Sequence, residues 1–553
     1  MSLSLALGSA TSSLRTIQSE LAIASNNIAN ADTDGYTVKS GVKTSTTTGG
    51  NGIGTGVSLT VIVSKVDANL LKSIVAATSG NAEASTTQDF LDQLSDIMGQ
   101  LSSSDSGDTL ATALSELSTT FEELAATPES ETLKTQAVLQ LTDVAANLRD
   151  TSAQVQDLRA QADQDIESAV QTVNDTLHAI DELNDSIVTA QARGDSTADL
   201  EDQRMVLVSQ LAEQINVSYF TDDTGAMSIY TGGQPLLNSS VHELSYQATN
   251  TVTSETVYPT GFDAITLNGA DITSSIKSGS LASLVELRDD TLVEVQDQLD
   301  AIATELKDQL NELNNAGSAM PAPSTLTGSV SGFAGTDTLT ATGTLTVAVT
   351  DADGNLVSSA DIDMTTVTSV DDLLTQLNAT SGISASLDAD GQLVITTTDS
   401  STGVALSGGD MGGDSVSSAF GLNDLVTGDG AEDLYVRSDI AADPSLLAVA
   451  SLTDDGLSLA AGALSQSMAD IISTDKASAL VAQVGSWADA ADSDATSKET
   501  TLTALTDSFS SSYGVNIDEE TARISELENA YQASAQVLSA IQEMFDSLLN
   551  AVS

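Results

Sequence analysis

Along the first 30 residues the apolar positions step by four and three, through Leu3, Leu7, Ala10, Leu14, Ile17, Leu21, Ala24 and Ile28. That is the spacing of a heptad seam on one helix. Around the seam stand Gly8, Ser9, Ser12, Ser13, Thr16, Ser19, Ala22 and Asn26, with only Arg15 and Glu20 charged. A helix so poor in charge is expected to be covered on more than one side. The C-terminus carries the same spacing through Ile524, Leu527, Tyr531, Ser534, Leu538, Ile541, Phe545, Leu548 and Val552, after an acidic start at Asp518, Glu519 and Glu520. Two charge-poor seams at opposite ends of one chain are natural partners. Their thin cores predict that neighbouring copies complete them.

Between the ends the pattern alternates. Asp34-Gly35 and Gly49-Gly50-Asn51-Gly52 read as turns, and Val57 to Val63 alternates as a strand does. Helical spacing then holds from about residue 68 to 214. Its longest stretch, Glu129 to Arg193, has no Gly or Pro and carries a stripe through Leu141, Val144, Leu148, Val155, Leu158, Ala162, Ile166, Val170, Val173, Leu177, Ile180, Leu183 and Ile187. Unbroken, it would extend roughly 95 Å. Residues 216–278 turn to strand chemistry. A further helix is predicted from Leu281 to Leu313, and Pro321-Ala-Pro323 marks a linker. Residues 324–440 read as a second β-rich module with one short helix near Val370–Leu377, and mostly helical sequence is expected from Pro444 onward.

The fold class expected is multidomain α+β: coiled-coil-like terminal helices and a long helical stalk with inserted β-rich outer modules. The domains read as 1–34 with 517–553 (terminal helical), 35–215 with 279–320 and 441–516 (stalk), 216–278 (first module) and 324–440 (second module).

Charge narrows the function. The chain has 553 residues, 79 Asp+Glu against 17 Lys+Arg, a formal net charge of −62, two His and no Cys. Nucleic acid is excluded as a partner, because gripping phosphates needs clustered cations. No apolar run approaches the roughly 18 residues of a membrane span, so no membrane insertion is expected. No basic residue precedes Arg15, so no cleaved signal peptide is expected either. Without Cys there are no thiolate nucleophiles, and two His leave little for acid–base pairs. No catalytic residue, metal ligand or cofactor is assigned, and the chain is not read as an enzyme. Asp351-Ala-Asp-Gly-Asn355 and Asp388-Ala-Asp-Gly-Gln392 resemble the start of a calcium loop. Both lack the later ligands, and hairpin turns are the expected reading.

The segment Ser25-Asn-Asn-Ile-Ala-Asn30-Ala-Asp-Thr-Asp-Gly-Tyr36 resembles the signature of the bacterial flagellar axial proteins, the rod, hook and hook-associated group. Asn26, Asn27, Asn30, Gly35 and Tyr36 carry the motif. Val38 stands where relatives often have a basic residue, with Lys39 next to it. Gly514-Val-Asn-Ile-Asp-Glu-Glu520, Tyr531-Gln-Ala-Ser-Ala535 and Glu543-Met-Phe-Asp-Ser-Leu-Leu549 are similar to the C-terminus of the hook-associated members. Asp199-Leu-Glu-Asp-Gln-Arg204 and Leu287-Arg288 add internal support.

The resemblance implies an extracellular structural protein of the flagellum, a motility component adapting hook to filament and exported without a cleaved signal. It implies as partners other copies of the chain, the hook protein, the next hook-associated junction protein, and an export chaperone and apparatus. The subunit-assembly residues it points to are Leu7, Ala10, Leu14, Ile17, Leu21, Ala24 and Ile28, with Ile524, Leu527, Tyr531, Leu538, Ile541, Phe545 and Leu548. Two alternatives stay open: a hook- or rod-type axial protein, and a secreted surface adhesin using residues 324–440.

Overall fold

The computed structural model describes residues 3–47, 54–99 and 109–552. The expected turn at Gly49–Gly52 lies outside them. Helix α1 (Leu3–Ala29) leads through the signature turn to a hairpin of β1 (Lys39–Thr47) and β2 (Gly54–Ser64). The stalk then builds from α2 (Ala68–Met98), α3 (Leu110–Ala126), α4 (Glu131–Arg193) and α5 (Ala198–Gln214). Helix α4 runs unbroken for 63 residues from its Ser130 cap, and the stripe residues are buried on it except Leu183, which is half-buried.

The first module holds two small antiparallel sheets. One comprises β3 (Ser218–Thr221), β4 (Met227–Thr231) and β5 (Gln234–Leu237); the other comprises β6 (Leu244–Ser245), β7 (Thr266–Leu267) and β8 (Ala270–Asp271). Its Met227, Ile229, Leu236 and Leu267 join the stalk's continuous core. Polar side chains of α4 fasten the rest of it. Asn184 bonds both Met227 N and O, Asn174 bonds Leu244 N and O, and Arg159 donates to the Thr253 and Thr256 carbonyls.

The helix expected over 281–313 is divided. α6 (Ser280–Glu286) passes through a π-helical turn at Leu287–Thr291 into α7 (Leu292–Ala316). The inserted residue turns Arg288 fully inward. There it pairs with Asp163 at 2.9 Å, both side chains 1% exposed, and stacks on Phe262.

The second module has a separate core. β9 (Thr325–Thr327), β10 (Ala341–Thr350), β11 (Leu356–Asp363), α8 (Val370–Ala379), β12 (Ile383–Leu387), β13 (Leu393–Thr397), β14 (Gly403–Met411) and α9 (Val416–Phe420) enclose Leu345, Val347, Leu373, Ile395 and Phe420. Its sheets run β11-β10-β14 and β12-β13-β9. Asp351 and Asp388 sit in the β10–β11 and β12–β13 turns. Each carboxylate accepts two backbone N–H groups of its own loop, at 2.8–3.0 Å.

Beyond it, β15 (Val426–Thr427) and β16 (Tyr435–Val436) pack back into the stalk core, followed by α10 (Ser438–Ala442). Helix does not resume fully at Pro444, as the spacing suggested. Asp454-Asp455-Gly456 first turns a hairpin of β17 (Ser451–Thr453) and β18 (Gly456–Ser458), with Gly456 at φ 121°. Then come α11 (Ala463–Ile471), α12 (Asp475–Tyr513) and α13 (Ile517–Val552). α12 lies antiparallel on α2, with Gln88 bonding Asp492 and Gly80 close to Lys498. Among the described residues no helix is long and apolar enough to cross a membrane.

Candidate assembly interface

The two chain ends meet. Ser13 Oγ lies 3.3 Å from Ser534 Oγ, and Gln18 donates to the Tyr531 hydroxyl at 3.4 Å, so α1 and α13 run antiparallel. That register sets Leu7 level with Ile541, Ala10 with Leu538, Leu14 with Ser534, Ile17 with Tyr531, Leu21 with Leu527 and Ala24 with Ile524. Both heptads therefore face one another inside one copy. Cover is thin: Ala10, Ile17, Ala24 and Ile541 are buried, while Leu7, Leu14, Leu21, Ile28, Ile524, Leu527, Tyr531, Leu538 and Phe545 are half-buried. Leu548 overhangs the start of α1 and is 58% exposed.

The second side of α1 is covered from within the chain. Ser12 and Thr16 bond the Val57 backbone, and Glu20, 3% exposed, pairs with Lys43 of β1 at 2.7 Å. So the only acid of α1 is neutralised by the hairpin. Among the described residues α13 has no such backing. Its outer face carries a second row at the same spacing, Ala530, Ala533, Val537, Ala540 and Met544, all exposed, with Leu548 and Leu549 continuing it. This row does not stand out in the sequence, because small Ala positions carry little hydrophobic weight.

The signature residues form the joint between axial helices and stalk. Asn27, fully buried, accepts from the Lys39 N–H at 3.1 Å and the Tyr36 hydroxyl at 3.0 Å, and donates to the Lys39 carbonyl at 3.0 Å. Asn30 caps the helix end by donating to the Asn26 carbonyl at 2.9 Å, and Asn26 reaches the Tyr36 hydroxyl at 3.5 Å. Gly35 has φ 71°, and a Cβ there would run into Val206 of α5, so only glycine lets the turn lie against the stalk.

Past the turn, Thr37 and Lys39 both bond Asp202 of α5, and Lys39 is 2% exposed. The Val38 N–H donates to the Tyr513 carbonyl at 2.8 Å, which ties in α12. Lys39, Lys43, Glu20 and Asp202 were not singled out as site residues from the sequence. The available signal was two lysines in nine residues of so acidic a chain.

A cleft of about 530 Å³ opens at this joint, with Leu183, Val206 and Leu207 in its wall beside Asp34, Asp199 and Tyr36. Burial first, then the charges of Asp199, Asp202 and Glu520, push the Tyr36 hydroxyl up to about 12. His178 lies on the stalk surface, paired with Glu243 at 2.8 Å, and His242 is half-buried at the module edge. No group of three or more His, Cys, Asp or Glu among the described residues is arranged to hold a metal ion.

Known proteins match the chain in the same places. The family model of the flagellar hook-associated protein FlgK helical domain matches residues 91–325. The flagella basal body rod protein model matches 7–37, and the flagellar basal body rod FlgEFG protein C-terminal model matches 507–551. A flagellin hook IN motif matches 344–399. Flagellar hook-associated protein 1 of Escherichia coli (strain K12) is 24% identical, over 98% of this chain and 99% of its own length. A solved structure of the flagellar hook junction protein FlgK from Burkholderia pseudomallei aligns with 79% of this chain and 98% of its own, at 15% identity and a TM-score of 0.47. With axial models on both terminal helices and the hook-associated helical domain model on the stalk, the chain is similar to the flagellar axial proteins, and over 98% of its length to a hook-associated protein 1.

Proposed function

We propose that this chain is the structural adaptor seated between flagellar hook and filament, held there by packing rather than by chemistry. The observation carrying this is the asymmetry of the axial pair. α1 is covered on two sides within its own copy, while α13 leaves the charge-free Ala530–Met544 row bare. A neighbouring helix of the same axial type fits that row.

In this reading the expected seam residues Leu7 to Ile28 and Ile524 to Phe545 build the ordered pair, and the outer row of α13 builds the contact between subunits. Hook protein on one side and the next hook-associated protein on the other are the partners. The chain leaves the cell through the flagellar export apparatus with an export chaperone. The stalk spaces the subunits, and the second module, with its separate core, faces outward.

The test is electron microscopy of a strain lacking this chain. Hooks without filaments are expected, with filaments restored by the full-length chain. Filaments present in the deletion strain would remove the proposal. Loss of residues 324–440 alone should leave motility mostly intact, whereas an adhesin would lose surface binding.

A further inference from the structure

We propose that Arg15 of one copy inserts into the acid-rimmed cleft at the signature turn of a neighbouring copy, an ion pair that fixes the stagger between axial helices. The inference rests on the assembly reading above and adds to it a partner for one named side chain.

Arg15 is the odd residue of its surface. The outward face of α1 consists of Gly8, Ser19, Ala22, Ser25 and Ala29, all exposed, and Arg15 is its one charge. Its guanidinium has no ion pair or hydrogen bond among the described residues. The only other cation of the axial helices, Arg523, pairs with Glu520 at 3.6 Å. When subunits close over this face the guanidinium loses water, and it must then meet a carboxylate. Its own chain offers none there: Glu20 is already held by Lys43.

The cleft at the joint has the complementary character. Leu183, Val206 and Leu207 supply an apolar wall suited to the methylene stem of an arginine, and Asp34 and Asp199 stand at its rim. The Asp199 side chain is 61% exposed. Its nearest cation, Lys39 at 3.8 Å, is committed to Asp202. Glu520, 6% exposed, leaves Oε2 without a hydrogen-bond partner nearby, and its charge acts on the same Tyr36 hydroxyl as those of Asp199 and Asp202. Negative charge therefore exceeds positive at this spot. Arg15 of the same copy cannot fill it, since some 15 residues of helix, about 22 Å, separate it from Asn30. The occupant has to come from a second copy.

The chain has no cysteine, which makes the test direct. Arg15→Cys combined with Asp34→Cys should yield cross-linked copies in flagella isolated from a strain without the native chain. Arg15→Cys with Asp546→Cys should not. Independently, Arg15→Glu should cut incorporation about tenfold through like-charge contact, and adding Asp199→Arg should restore it. An incorporated double-cysteine chain that gives no cross-link at Asp34, or rescue by Glu543→Arg instead of Asp199→Arg, overturns the inference and leaves the assembly reading standing. Absence of the wild-type chain from isolated flagella sinks both.

Discussion

Thr37 and Asp202 face each other across the joint. The Thr37 N–H donates to Asp202 Oδ2 at 2.8 Å, and its hydroxyl donates to the same carboxylate at 2.9 Å. Lys39 reaches that carboxylate too, from a site only 2% exposed. One aspartate of the stalk thus holds three donors of the strand leaving the axial helices. The angle between helices and stalk depends on it.

Asp202→Ala is expected to loosen this joint. It leaves the Lys39 ammonium buried without its main partner, at a cost of about 3 kcal/mol. Hydrogen exchange should quicken through residues 36–47 while α4 stays protected. Adding Lys39→Met should recover part of the loss, because the stranded charge is gone. Equal exchange in wild type and Asp202→Ala would show that the hairpin is held by its other contacts alone.

The two apolar rows of α13 should separate by mutation. Leu21→Asp puts a charge into the half-buried seam with Leu527 and should free α1 from α13, at a cost of a few kcal/mol where water is excluded. Met544→Asp changes a side chain already 51% exposed, so the isolated chain should melt as wild type does. Both variants should fail to enter the hook–filament junction, for different reasons. Thermal melts and helix content by circular dichroism, read beside a motility assay, tell them apart. A motile Met544→Asp strain would mean that the outer row faces solvent in the assembled structure.

Much of this architecture was legible because it rests on periodicity. The seams of α1 and α13 and the stripe of α4 each repeat over many turns, and one misread residue does not erase such a signal. The signature asparagines were legible as a motif but not as geometry. Spacing does not say that Asn27 would serve both Tyr36 and Lys39. What stayed hidden depends on contacts far apart in sequence. The Asp202–Lys39 pair joins positions in different elements, the π-helical turn at Arg288 follows from a buried partner on α4, and the β17–β18 hairpin is only three residues a side. The bare face of α13 was missed for another reason. Alanine at 530, 533 and 540 carries little hydrophobic weight, and only the fold shows that none of the described residues covers it.

Asp163 should be the costliest single polar site of the stalk. Its carboxylate accepts from Arg288 at 2.9 Å, from the Tyr246 hydroxyl and from the Thr249 N–H at 2.7 Å, and the Asp163 and Arg288 side chains are each 1% exposed. Asp163→Ala leaves a buried guanidinium without its buried partner, although Asp289 still holds one edge of it. A loss of about 3–5 kcal/mol in urea unfolding is expected, with the first module detaching early. Replacing Asp163 and Arg288 together by Leu and Met should cost less than Asp163→Ala alone. If the double variant is the weaker one, shape rather than charge governs the site.

The α2–α12 seam should respond to pH in the direction set by its carboxyls. Burial raises the Glu83 carboxyl, with Glu286 and Asp494 adding to the shift and the Ser278 hydrogen bond and Lys498 opposing it. Burial also raises Asp92, followed by the charges of Asp492, Asp89 and Asp96. A carboxyl raised in the folded state favours the protonated form there. Its contribution to stability is therefore present at acid pH and lost as pH climbs through the raised value. Glu83→Gln with Asp92→Asn keeps the neutral form at every pH. Above about pH 6, where ordinary carboxyls are ionised, the double variant should melt higher than wild type, and the difference should vanish near pH 4. Melts at constant ionic strength decide it. A variant that melts lower at neutral pH would mean that these carboxylates are held by attraction, with Lys498 outweighing the acids around them.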